Sequence, residues 1–160
     1  FQFPFMILFA ALSPLWSMFA IHYLEKNKEK LYGDFKKFNK FFIIIILGLF
    51  LIYVLTPFIV SVWLKENITI PKNLVLLTTI VTALKIYVSF YTFFLNGLGK
   101  LNFYITILII SLILKIPLTY YFVDLNFGIN SVLLSSLVIV LIWTLLIPYK
   151  CYKITESLKK

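Results

Sequence analysis

Residues 41–64 read FFIIIILGLFLIYVLTPFIVSVWL and contain no charged side chain. An α-helix rises about 1.5 Å per residue, so about 20 residues suffice to cross a bilayer core that is about 30 Å thick. A helix also satisfies its own backbone hydrogen bonds where no water is present. The length and composition of this stretch therefore predict a transmembrane helix.

Four further apolar stretches of about 20 residues flank this one, at 1–24, 74–95, 103–123 and 128–149. The chain has 62% hydrophobic and 13% charged residues, whereas soluble domains have about 25% charged residues. We therefore predict an all-α fold, a polytopic transmembrane helix bundle of five spans. It forms one membrane domain that ends in a polar tail at 150–160.

The lysines concentrate in alternate connecting segments, which indicates how the bundle is oriented. All 15 basic residues are lysines; segment 25–40 holds six of them, the tail 150–160 holds four, and 96–102 holds Lys100. The positive-inside rule places these three segments in the cytoplasm. The predicted location is the cytoplasmic (inner) membrane, with a cytoplasmic C-terminus. We therefore expect the net charge of +9 to orient the protein in the membrane and to contact membrane lipids, and we do not expect it to bind nucleic acid.

Segment 25–40 is polar but carries apolar residues at helical spacing: Leu31, Phe35 and Phe38, followed by Phe42. This pattern predicts an amphipathic interfacial helix, interrupted near Gly33 and running into the second span. A charged linker is the alternative.

Prolines and glycines predict where the helices bend or end. Pro14 should kink the first span, and Pro148 should close the last one. Gly97 and Gly99 should supply positive-φ conformations for a tight turn, which makes the third and fourth spans an antiparallel hairpin. The Asn67-Ile68-Thr69 triplet matches a glycosylation acceptor but is interpreted as a turn.

A stripe of polar side chains follows one face of the third span, at spacings of four, three, four and three residues. Its members are Thr78, Thr82, Lys85, Ser89 and Thr92. A lysine at the bilayer centre costs at least about 2.5–3.5 kcal/mol unless it reaches water, a partner or a ligand. We predict that this stripe lines a cavity, while snorkelling of the lysine is the alternative. The opposite face, predicted to meet lipid, consists of Leu77, Val81, Leu84 and Val88.

Lys115 is a second lysine inside a span, with Ser111 and Thr119 one turn away on either side. It too could line the cavity or snorkel. The five spans contain no Asp or Glu that could pair with either lysine. The partner is therefore another part of the protein, a chain segment beyond this one, or an anionic ligand.

Signatures of enzymes and metal sites are absent from the sequence. It has no HExxH motif, no acidic pair placed for magnesium or glycosidic chemistry, and no Ser/His/Asp set. His22 is interpreted as an interfacial residue, and Cys151 has no second cysteine for a disulfide or a metal site. We predict no catalytic residue, no metal and no cofactor.

Four short motifs occur in an order that is similar to a known family: ALSPLWS at 11–17, FLNGLGK at 94–100, KIPL at 115–118 and FGINS at 127–131. This order resembles the C-terminal half of polysaccharide (O-antigen, Wzx-type) flippases, in the multidrug/oligosaccharidyl-lipid/polysaccharide exporter superfamily.

The resemblance implies two six-helix bundles around a cavity that opens alternately to each side and moves an isoprenoid-diphosphate-linked oligosaccharide outward. The spans would be the eighth to twelfth, so the N-terminal bundle of the same chain is an expected partner. A start at Phe1 rather than Met fits such a C-terminal portion. Lys85 and Lys115 would attract the diphosphate, although the family pattern leads us to expect a small polar residue such as Asn at position 115.

Three alternatives compete with a flippase. A drug/cation antiporter of the same superfamily would want carboxylates in its cavity, and these spans have none. A membrane-embedded glycan polymerase or transferase would need a large outer loop, whereas the loops here are short. A non-transporting remnant would have half a cavity wall and no activity by itself.

Overall fold

The computed structural model describes residues 1–64 and 71–158, which form helices and no strand. The α-helices are α1 (Gln2–Leu12), α2 (Leu15–Leu24), α3 (Lys28–Leu64), α4 (Lys72–Gly97), α5 (Leu101–Asp124) and α6 (Ser131–Glu156), with a 3-10 turn at Gly128–Asn130 before α6. α1 and α2 together make one span, so five helical units are long and apolar enough to cross a membrane. The predicted all-α, five-span fold is confirmed. The predicted turn at 67–69 lies outside the described residues.

Helix α4 is the centre of the bundle, because it contacts each of the other α-helices. α6 and α2 pack on it most extensively, whereas α5 packs mainly on α6 and only weakly on α4. The predicted α4–α5 hairpin is therefore looser than expected. The second half of α3 and much of α5 expose large apolar side chains, such as Leu47 and Leu112. Surfaces of this kind suit hydrocarbon as the surrounding solvent.

An aromatic cluster packs the start of α3 against α2 and α4. The Phe38 and Phe90 rings stack 3.7 Å apart. The Phe35 ring meets Phe94 edge-on at 5.2 Å, and Phe19 meets Phe94 edge-on at 5.4 Å. All five side chains are buried. Aromatic pairs contribute about 0.5–1.5 kcal/mol each beyond the area they bury, so this cluster is a main source of cohesion.

Segment 25–40 is helical from Lys28 onward with one apolar face, as predicted, but the predicted interruption and the predicted interfacial setting of that face are wrong. Helix α3 runs without a break from Lys28 to Leu64 and passes through Gly33. Leu31, Phe35 and Phe38 are at most 5% exposed, so this face meets protein rather than a membrane surface. A helical glycine costs about 1 kcal/mol, and the burial of its apolar neighbours more than offsets that.

The two prolines have different effects. At Pro14 a single turn separates α1 from α2, but Ser13 and Pro14 keep right-handed helical backbone angles and the two helices remain one span, which agrees with the local disruption predicted there. At Pro148 the helix continues to Glu156, so the prediction that this proline closes the last span is wrong. A proline removes only one helical hydrogen bond, and the turns beyond it are held by the burial of Cys151 and Ile154. Most of the predicted polar tail is therefore packed helix.

Gly97 and Gly99 have separate roles. Gly99 has φ +66°, the positive-φ conformation predicted for the turn. Gly97 lies within α4, and a Cβ there would overlap the carbonyl oxygen of Trp16 and lie 3.1 Å from the backbone nitrogen of Ala20. The prediction of a positive φ at Gly97 is wrong. This glycine instead allows the backbones of α2 and α4 to approach closely.

The lysine-rich segments gather at one end of the bundle, as their alternation predicts. Lys28 Nζ donates to the carbonyl oxygen of Glu156 at 2.9 Å, which joins the start of α3 to the end of α6. Lys100 Nζ donates to Tyr23 Oη at 3.1 Å, which joins the α4–α5 turn to α2. We call this the basic end. That it faces the cytoplasm stays a prediction from the positive-inside rule.

Candidate binding cleft

Lys85 lies near the middle of α4, with an exposed side chain, at a point where three hollows meet. The first has a volume of about 210 Å³ and lies against α5 and α6, where Lys115, Ser136 and Trp143 line it. The second, of about 200 Å³, lies between the start of α1, the first half of α4 and the start of α6. The third, of about 500 Å³, extends along α4 toward Asn96. We call these three hollows together the Lys85 cleft.

The polar stripe of α4 lies along this cleft. Thr78 and Thr82 line the second hollow, Ser89 and Thr92 line the third, and Lys85 lines all three. The structure thus brings together all five residues that helical spacing placed on one face. Their role in binding a substrate stays a prediction.

The four hydroxyl groups of the stripe already donate hydrogen bonds to the backbone of α4. Each donates to the carbonyl oxygen four residues earlier, at 2.8 Å for Thr78, 2.7 Å for Thr82, 2.8 Å for Ser89 and 3.1 Å for Thr92. A hydroxyl oxygen also has lone pairs that accept hydrogen bonds. In this arrangement the stripe offers acceptors to the cleft, suited to hydroxyl or amide donors of a ligand. Lys85 is the member of the stripe that can attract an anion.

The prediction that the opposite face of α4 meets lipid is wrong. Val81 and Val88 are 4% and 3% exposed and pack inside the bundle, and Leu77 and Leu84 are half-buried. At about 100° per residue, these four side chains lie about 90° around the helix from the stripe rather than opposite it, and Val81 and Val88 line the second and third hollows. In a membrane the packed and lipid-facing surfaces of a helix are equally apolar, so composition alone does not separate them.

Lys115 has partners on α6. Its Nζ donates to the carbonyl oxygen of Val132 at 2.8 Å and to Ser136 Oγ. One turn along α5, Thr119 Oγ1 and Ser135 Oγ lie 2.8 Å apart. Lys115 therefore belongs to a polar clamp between α5 and α6, the first of the three kinds of partner that the sequence left open. The adjacent serines at 135 and 136 were the sequence signal for this clamp, and reasoning from the sequence overlooked it.

Lys85 differs from Lys115 in having no such partner. Within residues 1–64 and 71–158, no hydrogen bond or ion pair is made by Lys85 Nζ. Lys85 and Lys115 both line the first hollow, and in those same described ranges no Asp or Glu lines any of the three hollows. Like charges in a poorly screened site repel each other, and an anion bound between them would relieve that repulsion. The cleft is thus electrostatically suited to an anionic group.

Aromatic and polar groups complete the cleft walls. Trp143 Nε1 donates to Ser111 Oγ at 2.7 Å, which fixes the indole ring between α5 and α6. Tyr104 lines the third hollow beside Trp143, with their ring centres 6.4 Å apart. Sequence reasoning did not assign Trp143, Ser136 or Asn96 to a site, because these residues come to the cleft from separate helices or from a helix end.

The remaining chemically active residues lie away from the cleft. His22 Nδ1 lies 2.8 Å from Asp34 Oδ2, which links α2 to α3. Cys151 is fully buried, with its Sγ 3.4 Å from the carbonyl oxygen of Tyr91. In the part of the chain that the structure describes, no group of three His, Cys, Asp or Glu side chains converges as metal ligands would.

The fold and the cleft together define a multi-pass helical membrane protein with a cationic hollow in its middle. Comparison of the chain with protein-family models, with curated proteins and with solved structures finds no match. The assignment of a function therefore depends on the chemistry of the cleft and on the motif order in the sequence.

Proposed function

We propose that this protein belongs to a membrane transporter that flips an isoprenoid-diphosphate-linked oligosaccharide across the cytoplasmic membrane for surface polysaccharide synthesis. The Lys85 cleft is its contribution to the substrate cavity. The observation that carries the proposal is Lys85 itself, a central intramembrane lysine with no protein partner among the described residues. Intramembrane ionisable residues commonly line substrate pathways, and Lys85 lacks the protein contacts that offset the cost of Lys115.

The chemistry of the cleft suits both parts of such a substrate. The diphosphate carries negative charge, and an ammonium group attracts phosphate as a point charge in a poorly screened site. The sugar hydroxyls can donate to the oxygen atoms of the stripe, whose own protons are committed to the backbone. Tyr104 and Trp143 offer aromatic faces in the same hollow. The motif order adds an independent argument for a polysaccharide flippase.

Alternating access requires a second surface opposite this one. The five spans provide a single wall around α4, and the resemblance implies that the N-terminal bundle of the same chain supplies the other wall. The proposal therefore applies to the complete protein in its host membrane, and that protein is what must be tested.

The decisive variant is Lys85→Gln, made in the complete protein and assayed as surface glycan on the host cell. We expect transport to fall about tenfold or more, because a charge-assisted contact contributes about 1.5–3 kcal/mol. Lys72→Gln is the matched control, since Lys72 is exposed at the start of the same helix and does not line the cleft. Protein abundance in the membrane must be equal for both variants.

The same assay separates the alternatives. Normal surface glycan in Lys85→Gln would contradict the role of Lys85 in flipping. A loss of resistance to cationic drugs, with glycan unchanged, would indicate the antiporter instead. If neither readout changed for any cleft variant, the protein would be a non-transporting remnant.

A further inference from the structure

A second basic site lies at the basic end, in a groove between α3 and α6 that is separate from the Lys85 cleft. The groove has a volume of about 470 Å³ and is lined by Tyr32, Lys36, Asn39, Lys40, Ile43 and Tyr152. Two lysines thus stand one helical turn apart beside an amide, two phenol rings and an aliphatic side chain. Among the residues that the structure describes, no Asp or Glu lines the groove. Asp34 is paired with His22, and the exposed Glu156 at the end of α6 lies close enough to Tyr32 to interact with it electrostatically.

The walls of this groove are positioned by a buried hydrogen-bond network. Tyr91 is fully buried, and its Oη donates to Asn39 Oδ1 at 3.2 Å. The Tyr152 hydroxyl lies 3.4 Å from the same Tyr91 oxygen. The Tyr32 and Tyr152 rings stack with centres 6.1 Å apart, which joins the two walls. The contact to Tyr91 occupies the amide oxygen of Asn39 and leaves its NH₂ group as a donor. The groove is therefore a built feature and not a chance gap between mobile lysines.

The groove also lies where α3 changes from charged to apolar. Lys36, Lys40, Ile43 and Leu47 follow one another at spacings of four, three and four residues, so they share one face of the helix. Lys36 and Lys40 are exposed, as are Ile43 at 60% and Leu47 at 63%. Along this face, a cationic polar region meets an apolar region within one turn. This order is complementary to that of a phospholipid, in which an anionic phosphate is followed by apolar acyl chains.

We propose that this groove binds the headgroup of an anionic phospholipid from the leaflet at the basic end. Lys36 and Lys40 attract the phosphate, and the Asn39 amide and the Tyr32 phenol donate to headgroup oxygens, whereas the Tyr152 proton is used in the contact to Tyr91. The first acyl carbons lie along Ile43 and Leu47. Basic pockets between helices at a membrane boundary recognise lipid headgroups in this way. The proposal does not depend on the transport function.

The test uses the complete protein, purified in a neutral detergent and titrated with phosphatidylglycerol or phosphatidylcholine while native mass spectrometry counts the bound lipids. We expect the double variant Lys36→Gln/Lys40→Gln to bind phosphatidylglycerol about tenfold more weakly than the unchanged protein. The matched control is Lys30→Gln/Lys37→Gln, which removes the same charge from the same helix outside the groove. The control should change binding less than about twofold.

Further measurements keep the proposal falsifiable. Ile43→Asn should weaken phosphatidylglycerol binding while leaving any binding of inorganic phosphate unchanged. Equal losses in the two double variants would overturn the proposal in favour of diffuse attraction to a charged surface. Equal binding of phosphatidylcholine would overturn the requirement for an anionic headgroup. Displacement by inorganic phosphate at the same concentration would show a site for soluble phosphate and overturn the assignment to lipid.

Discussion

At the scale of single residues, the two intramembrane lysines differ in the contacts that their ammonium groups make. Lys115 Nζ is held by Val132 and Ser136 on a neighbouring helix, so its charge is used within the protein. Lys85 has no partner in the described parts of the chain and lines every hollow of the cleft. The contacts of each ammonium group, and not its position along the span, distinguish the lysine of the clamp from the lysine that we propose binds a ligand.

The clamp makes a testable prediction about coupling. Ser136→Ala should lower the free energy of unfolding by about 1–3 kcal/mol, because it leaves the Lys115 ammonium short of an acceptor. In Lys115→Met the same serine change should matter much less, since the donor is gone. A double-mutant cycle, measured by unfolding in mixed detergent, should give a coupling of about 1 kcal/mol or more.

The control cycle pairs Ser136→Ala with Lys37→Met. Lys37 is exposed at the basic end and lines none of the three hollows, so the two effects should add to within about 0.5 kcal/mol. Additivity in the Lys115 cycle as well would contradict the clamp.

At the scale of helices, one close backbone contact sets how α2 meets α4. Gly97 lies in the last turn of α4 directly against the backbone of Trp16 and Ala20. Small residues at helix interfaces in membranes allow this approach, because packing rather than the hydrophobic effect holds the helices together. The result places the α1–α2 unit beside α4 and closes the cleft on that side.

Gly97→Ala should therefore destabilise the protein by about 1–3 kcal/mol, because α2 must shift away from the added methyl group. This expected loss is opposite in sign to the effect of helix propensity, since alanine stabilises a helix by about 1 kcal/mol relative to glycine. Thermal unfolding in detergent measures the change.

Gly48→Ala is the matched control in α3. Nothing lies within 4 Å of a Cβ at Gly48, so alanine there should stabilise the protein or leave it unchanged. If Gly97→Ala were as stable as Gly48→Ala, the close-approach role of Gly97 would be wrong.

At the scale of the whole molecule, cohesion is concentrated at the basic end and around α4. The aromatic cluster joins α2, α3 and α4 there, and Lys28, Lys100 and His22 tie the helix ends together. The second half of α3 leaves this cluster and exposes most of its large side chains. The basic end is therefore the tightly packed part of the molecule, whereas the second half of α3 presents an apolar surface suited to lipid or to another helix bundle.

Two phenylalanines on the same helix test this distribution. Phe38→Ala should lower the free energy of unfolding by about 3 kcal/mol or more, because it empties a site stacked on Phe90. Phe50→Ala should cost less than about 1 kcal/mol, because that side chain is 59% exposed. Equal losses for the two variants in detergent unfolding would contradict a tightly packed basic end.

The sequence by itself determined the class of the protein. Runs of apolar residues predicted five spans, alternating lysines predicted one basic end, and the spacing from Thr78 to Thr92 predicted one polar face on the third span. These features depend only on helix length and periodicity, which are properties of local sequence. Leu31, Phe35 and Phe38 were found in the same way, by their position on one helical face.

Only the tertiary structure decided which surfaces meet. It showed that Val81 and Val88 face protein, that α6 continues past Pro148, and that Lys115 is held by Ser136 while Lys85 is not. It also formed the groove at Lys36, whose walls come from helices more than 100 residues apart in the chain. The physical reason is that apolar side chains suit lipid and a neighbouring helix equally well in a membrane. The partners of each face are therefore set by packing between distant segments, which local patterns do not encode.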